Sequence, residues 1–293
     1  MGVFCFVILH YGNHTVTQRC VDSILNLKHN SNIHIVIVDN DCEKNDDDRL
    51  LSKGEYKNKD NIDIITVKEK MGFSLANNKG YEFAREHIEP EVIIMANNDI
   101  TFEQEDFIER IQKFKDNNSF HILSPDIIDN NTGMHQSPIA VAGRTNAQLN
   151  YTIVMNYICL FMLPVIYPVL KSNEERNKKN ISQLTNNYST DIHDNIVPCG
   201  ACIIVSSDFI KNEKKMFWPE TNFYYEEYIL YERCKNNNYT IIYNPDIKVI
   251  HGDGVSTKST SKNDKARLRF IMKNTYESAR IYKKYKNVSS NNC

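Results

Sequence analysis

Short apolar runs alternate with amphipathic stretches through the first 125 residues, and this alternation narrows the fold more than any other feature. Val3–Leu9, Ile33–Val38, Ile62–Val67 and Val92–Ala96 read as strands. Between them, Thr15–Leu27 places Val16, Cys20, Ile24 and Leu27 on one helical face. Ser74–His87 reads as a helix with Ser74 at its N-cap, and Glu103–Phe114 as a third helix. Strands that are apolar on both faces must be covered on both faces, which is the condition of a parallel sheet with helical crossovers. The expected fold is therefore α/β: a mainly parallel sheet flanked by helices, in a single domain over residues 1–293, with a helical, apolar insertion at about 145–195.

Polar residues close these strands. Asp39 follows Val38, Asn97-Asn98-Asp99 follows Ala96, and His251 follows a later run, Ile247–Ile250. Glu226-Glu227 lies in an aromatic stretch that continues into Leu230 and Arg233. An open α/β sheet binds its ligand outside the carboxyl ends of its strands. Each segment also has a plain structural reading. Asp39-Asn40 and Asn97–Asp99 fit turns, Glu226-Glu227 fits the acid-rich first turn of a helix, and His251 fits an ordinary residue after a strand. Neither a Gly-x-Gly-x-x-Gly nor a Walker loop occurs, so a nucleotide is expected to be held by side chains and metal. Glu226 and Glu227 are adjacent and cannot straddle a bond as the two carboxylates of a glycosidase do.

A net charge of −2 gives no nucleic-acid signal. The eight cysteines are scattered, and the one CxxC, Cys199-Gly-Ala-Cys202, falls inside a run read as a strand, Ile196–Val205, so it is expected to be structural. Gly2–Leu9 lacks a basic leader and a cleavage site, and the expected location is cytoplasmic. The acidic run at 41–48 reads as a solvated loop.

Seven segments carry a family resemblance: CFVILHYGN (5–13), IVIVDND (35–41), KMGFSLANNKGYEFA (70–84), IIMANNDI (93–100), PCGACIIVSSDFI (198–210), FYYEEYILYERC (223–234) and YNPDIKVIHGDGVS (243–256). In this order the chain resembles family 2 glycosyltransferases of the GT-A fold, in the branch of bacterial rhamnosyltransferases. The resemblance spans about residues 3–145 and 196–280. It implies a nucleotide-binding half over 1–125 and an acceptor-binding half over 126–293.

The resemblance also assigns roles. Asp39 would accept hydrogen bonds from the base or ribose, and Gly72, Phe73, Asn78 and Gly80 match the loop beside the nucleotide. The family has Asn where this chain has Lys70, which is left to meet the donor diphosphate. Asn97-Asn98-Asp99 occupies the place of the Asp-x-Asp signature with its first acid amidated, so Asp99 carries the metal, Mg²⁺ or Mn²⁺, with His251 as a second ligand. Glu227 takes the slot of the general base, with Glu226 beside it and Arg233 a partner for an acid or the diphosphate.

What is implied is an inverting transfer from a UDP- or dTDP-linked sugar to a glycan or polyprenyl-diphosphate-linked acceptor, in bacterial surface polysaccharide assembly such as capsule or O-antigen. Two other readings stay open: a nucleotidyltransferase, and a non-catalytic carbohydrate- or lipid-binding module on a transferase scaffold. Thr152–Leu170 approaches the length of a membrane span but contains Asn156, Pro164 and Pro168. It reads as an interfacial or acceptor-facing segment, a core helix, or a span, in that order. Lys171–Asn195 reads as a long Asn-rich loop. Leu268, Ile271, Met272, Thr275, Ala279 and Tyr282 share a helical face among nine Lys/Arg between Lys262 and Lys286. That pattern fits peripheral contact with the inner face of the plasma membrane, or a helix packed on the sheet.

Overall fold

The computed structural model describes residues 2–28, 32–41, 56, 59–180, 189–252 and 264–290. Most of the acidic run, Cys42, Lys262, residues 253–256 of the last matching segment and Cys293 lie outside them. The strands are β1 (Phe4–His10), β2 (Ile33–Asp39), β3 (Ile62–Thr66), β4 (Val92–Asn97), β5 (Ile100–Thr101), β6 (Ile122–Asp129), β7 (His193–Asp194), β8 (Cys202–Ser206) and β9 (Ile241–His251). The helices are α1 (His14–Leu25), α2 (Phe73–Phe83, continued by a π-helical turn Ala84–Ile88), α3 (Phe107–Asn117), α4 (Asn146–Asn180), α5 (Ser207–Asn212), α6 (Glu226–Asn236) and α7 (Asp264–Ser290).

All nine strands join one sheet in the order β3-β2-β1-β4-β8-β6-β9-β5, with β7 on β9. Pairing is parallel from β3 to β4, as the continuous apolar runs require. Beyond β4 the sheet is mixed. β8 runs antiparallel to β4 and β6, β6 and β9 are parallel, and β5 and β7 are antiparallel to β9.

The two-residue period of β1 divides the core. Phe4, Phe6 and Ile8 face α1 and α3 through Cys20, Val21, Ile24, Phe107, Ile108 and Ile111. Cys5 and Val7 face the other way, toward Ala76 and Tyr81 of α2 and Phe209 of α5. Gly80 lets α2 approach the sheet: a Cβ there would collide with Val7 and Val38. A smaller third cluster, Leu149, Val197, Tyr228, Ile229, Ala279 and Tyr282, joins α4, α6 and α7.

Three local expectations change. Ser74 is not a cap: α2 begins at Phe73, Gly72 takes the N-cap without a side-chain bond, and the Ser74 hydroxyl bonds Thr221 Oγ1 at 2.8 Å. The strand expected from Ile196 begins only at Cys202, because 198–201 form a turn at the end of the sheet. Lys171–Asn180 is helix rather than loop, since α4 continues past both prolines. Nor is α4 a core helix. Its Asn146–Asn173 portion is long and apolar enough to cross a membrane, yet only 6% of its most apolar stretch is buried.

Candidate active site

The chain order reverses between β1 and β4, and a cavity of about 330 Å³ opens at the carboxyl ends of the strands around that point. Tyr11 follows β1, Asn40 follows β2, and Asn97, Asn98 and Asp99 leave β4; all line the cavity. Lys70 and Phe73 close one side, and Glu226 and Glu227 at the start of α6 close another.

Asp99 and His251 meet because Ile100 of β5 pairs with His251 of β9. Asp99 Oδ1 is buried and lies 3.2 Å from His251 Nε2, but without hydrogen-bond alignment, so it has no hydrogen-bond partner among the described residues. Gln136 orients the imidazole. Its Nε2 donates to the Asp129 carboxylate at 3.1 Å, which leaves its Oε1 to accept from His251 Nδ1 at 2.6 Å. Nε2 of a neutral His251 then presents a lone pair on the side of Asp99. Adjacent ligand atoms of an octahedral Mg²⁺ stand about 3 Å apart. The orphaned carboxylate oxygen and this lone pair therefore fit a divalent ion, with the remaining positions left to substrate oxygens and water. Among the described residues no group of three or more His, Cys, Asp or Glu side chains assembles a closed metal site.

The two glutamates are held by backbone strain. Tyr224 and Tyr225 are both left-handed, with φ of 69° and 67°, and turn the chain so that α6 starts with Glu226 and Glu227 against the cavity. Glu226 is 5% exposed and its Oε2 has no hydrogen-bond partner. Burial, then the charge of Glu227, pushes the Glu226 carboxyl well above its ordinary range. Burial raises Glu227 as well, though less; backbone N–H groups oppose the shift in both, those of Tyr224 and Glu226 for the first and of Gly200 and Glu227 for the second. Of the pair, Glu226 is the natural holder of a proton and Glu227 the carboxylate that ionises first.

Other expected residues are arranged unequally. Lys70 Nζ donates to the Tyr11 hydroxyl at 2.9 Å and lies 4.8 Å from its ring centroid. Asn98 Nδ2 donates to Thr17 Oγ1 at 2.9 Å, tying the turn after β4 to α1. Asp39 does not line the cavity. It is fully buried, Oδ1 accepts the Asp41 N–H at 3.2 Å, and Oδ2 is unpartnered. Asn78 also lies off the cavity wall, with its amide spent in both directions on the backbone of Phe217 at 2.8 Å. Arg233 points away to Glu213 at 3.8 Å and to the Met216 carbonyl at 2.6 Å. Its pairing is with an acid rather than at the cavity.

Three contributors escaped sequence reasoning. Asn40 clamps Met71 through paired bonds of 2.9 and 3.0 Å and so fixes the Lys70–Gly72 loop. An Asn directly after a strand-end Asp was the available signal. Gly200 supplies an N–H and a bare Cα where a Cβ would strike the Glu227 carboxylate. Gln136 had no signal at all. Cys199 and Cys202 are free thiols, and burial pushes Cys199 up to about 12, consistent with a structural pair.

A model described as glycosyl transferase family 2 matches residues 5–165, more than half of the chain. The chain belongs to glycosyl transferase family 2. Among solved structures, GalNAc-T7 with UDP, GalNAc and Mn²⁺ superposes with a TM-score of 0.53 at 13% identity, over 86% of this chain and 44% of that one. The protein thus spans under half the length of that relative. S. aureus TarS 1–349 gives 0.52 at 13% identity, over 95% of this chain and 72% of that one. The same TarS fragment in complex with UDP-GlcNAc gives 0.54 at 14%, over 92% and 65%. At these identities the likeness establishes a shared fold. No curated protein matches the sequence.

Proposed function

We propose that this family 2 protein transfers a sugar from a UDP- or dTDP-linked donor to an acceptor hydroxyl, with inversion by a single in-line displacement. The observation that carries the reading is that the Asp99–His251 pair and the Glu226–Glu227 pair line one cavity at the strand ends. The first pair would hold Mg²⁺ or Mn²⁺, and a bound divalent ion supplies charge neutralisation for a departing nucleoside diphosphate. Lys70 and Phe73 stand where a donor would bind, and Lys70 offers a cation to the diphosphate. The unpartnered Asp39 Oδ2, buried beside Asn40, supports a role in holding the nucleoside. Glu227, the less strongly raised of the two acids, takes the acceptor proton.

The acceptor in this reading is a lipid-linked glycan at the inner membrane surface, in surface polysaccharide assembly. The exposed apolar face of α4 supports that location, since Phe161 is 81% and Val165 70% exposed. Residues up to 125 would then serve mainly the donor and later ones mainly the acceptor.

The test is a panel of UDP- and dTDP-sugars assayed for hydrolysis and thermal stabilisation with Mn²⁺. One or more donors should stabilise the wild type, and chelator or Asp99→Asn should abolish hydrolysis. Hydrolysis indifferent to both would overturn the metal role, and a panel without any stabilising donor would overturn the transfer reading itself.

A further inference from the structure

The glutamate pair has a second side. A separate cavity of about 310 Å³ shares Tyr224, Glu226 and Glu227 with the first and is otherwise walled by Ile139, Arg144, Tyr225, Tyr228 and Thr275. The two acids thus form the partition between two spaces, one of them reaching the Asp99–His251 pair. Among the described residues, Arg144 is the only cation on the wall of this second cavity. Its backbone is fixed from two directions. The N–H donates to Tyr282 Oη at 3.2 Å, and the carbonyl accepts from Lys286 Nζ at 2.6 Å. Gly143 packs so tightly on Glu232, Tyr231 and Tyr282 that a Cβ there would collide.

The guanidinium itself is free of acids. It lies 5.3 Å from the Tyr228 ring centroid, and no carboxylate among the described residues pairs with it. A cation presented over an aromatic floor, with no ion-pair partner among the described residues, can take an anion, and a planar guanidinium suits phosphate oxygens. Glu226 and Glu227 stand on the same wall, but neither forms an ion pair with the guanidinium, which leaves its N–H groups open to a ligand. Helix α4 begins at Asn146, just beyond Arg144, and carries Tyr151, Val154, Tyr157, Ile158 and Phe161 exposed along its length. An apolar track thus leads away from the cation.

We propose that this second cavity is the acceptor subsite and that Arg144 binds the phosphate of a lipid-linked acceptor, whose tail runs along α4. The inference rests on the transfer reading above and specifies its acceptor. With the phosphate on Arg144, the acceptor sugar lies over Tyr225 and Tyr228, and its hydroxyl reaches Glu227 from the side opposite the donor.

Binding of three probes by calorimetry tests this on the full chain: decyl phosphate, methyl phosphate and decyl β-glucoside. The wild type should bind decyl phosphate, Arg144→Gln should weaken it about tenfold or more, and Arg144→Lys should recover part of the loss. Decyl glucoside should respond little to either change. Hydrolysis of the donor and the melting temperature should be unaltered in Arg144→Gln, because the backbone and not the guanidinium holds the loop. Equal binding of phosphate and glucoside, or indifference of decyl phosphate to Arg144→Gln, would overturn the subsite. Methyl phosphate bound as tightly as decyl phosphate would overturn the lipid assignment. Donor hydrolysis by the wild type separates the two levels: it persists if only the subsite is wrong and is absent if the transfer reading is wrong.

Discussion

At the scale of single residues, adjacent acids are differentiated by their surroundings. Backbone N–H groups meet both carboxylates, but Glu226 also feels the charge of Glu227 and keeps a buried oxygen without a partner among the described residues. Glu227→Gln should therefore lower transfer about 10²–10⁴-fold, with donor binding retained. Glu226→Gln should keep most activity, and the acid limb of the pH–rate profile should stay above 4.5, the ordinary value from which Glu227 is raised. A larger loss from Glu226→Gln would place the base one residue earlier. Stability gives an independent reading of the same difference. A carboxyl raised in the folded state contributes stability below its unfolded value near 4.5 and loses it as pH climbs through the folded value. Glu226→Gln should accordingly raise the melting temperature relative to wild type at pH 8 and change it little at pH 4.

Among elements, two glycines allow close approach for different purposes, and their substitutions should separate fold from function. Gly80 seats α2 on the sheet against Val7 and Val38, both fully buried. Gly80→Ala overfills that contact and should cost about 1–3 kcal/mol of stability, measured by denaturant unfolding. Gly200 instead faces the carboxylate end of Glu227, which can swing aside. Gly200→Ala should leave the unfolding midpoint nearly unchanged while lowering transfer, because the displaced carboxylate loses its N–H donor. Equal destabilisation by both would show that the 198–201 turn is structural only. The strained Tyr224-Tyr225 turn belongs to the same logic: the fold retains two left-handed tyrosines where their effect is to aim a pair of acids.

For the whole molecule, the large unsatisfied feature is the outer face of α4. It packs along α7, with Tyr157 and Tyr276 rings 5.8 Å apart and Lys283 bonding Asn150 at 2.6 Å, while Phe161, Val165 and Val169 face outward. Lys265 and Arg269 stand beside Leu160 and Phe161 on the adjoining surface of α7. An apolar face next to cations fits the surface of an anionic bilayer, where two modest anchors act together. Vesicles with anionic lipid should sediment the protein, and high salt should release part of it. Phe161→Ser with Val165→Ser should release more, without a change in melting temperature, because both side chains are already in solvent. Retention of the double variant on vesicles would exclude α4 as the anchor.

The strand and helix succession was decided locally. Runs such as Phe4–His10 and Ile33–Asp39 are apolar on both faces, and only a sheet covered on both sides buries them. Strand-end position likewise marked Asp99 and His251, since a polar residue closing a buried strand emerges at the ligand edge of such a sheet. β6 and the antiparallel course of β8 were not legible, because pairing direction depends on partners distant in sequence. The same reason hid Gln136 behind His251, Gly200 behind Glu227 and Arg144 on the far side of the acids. It also left open which partners Asn78 and Arg233 would find: the backbone of Phe217 for the first and, of the two offered for the second, an acid, Glu213. Side-chain type and local period determine which elements form and which groups can do chemistry. Which of those groups meet is decided only when the sheet closes and brings separated segments within hydrogen-bond reach.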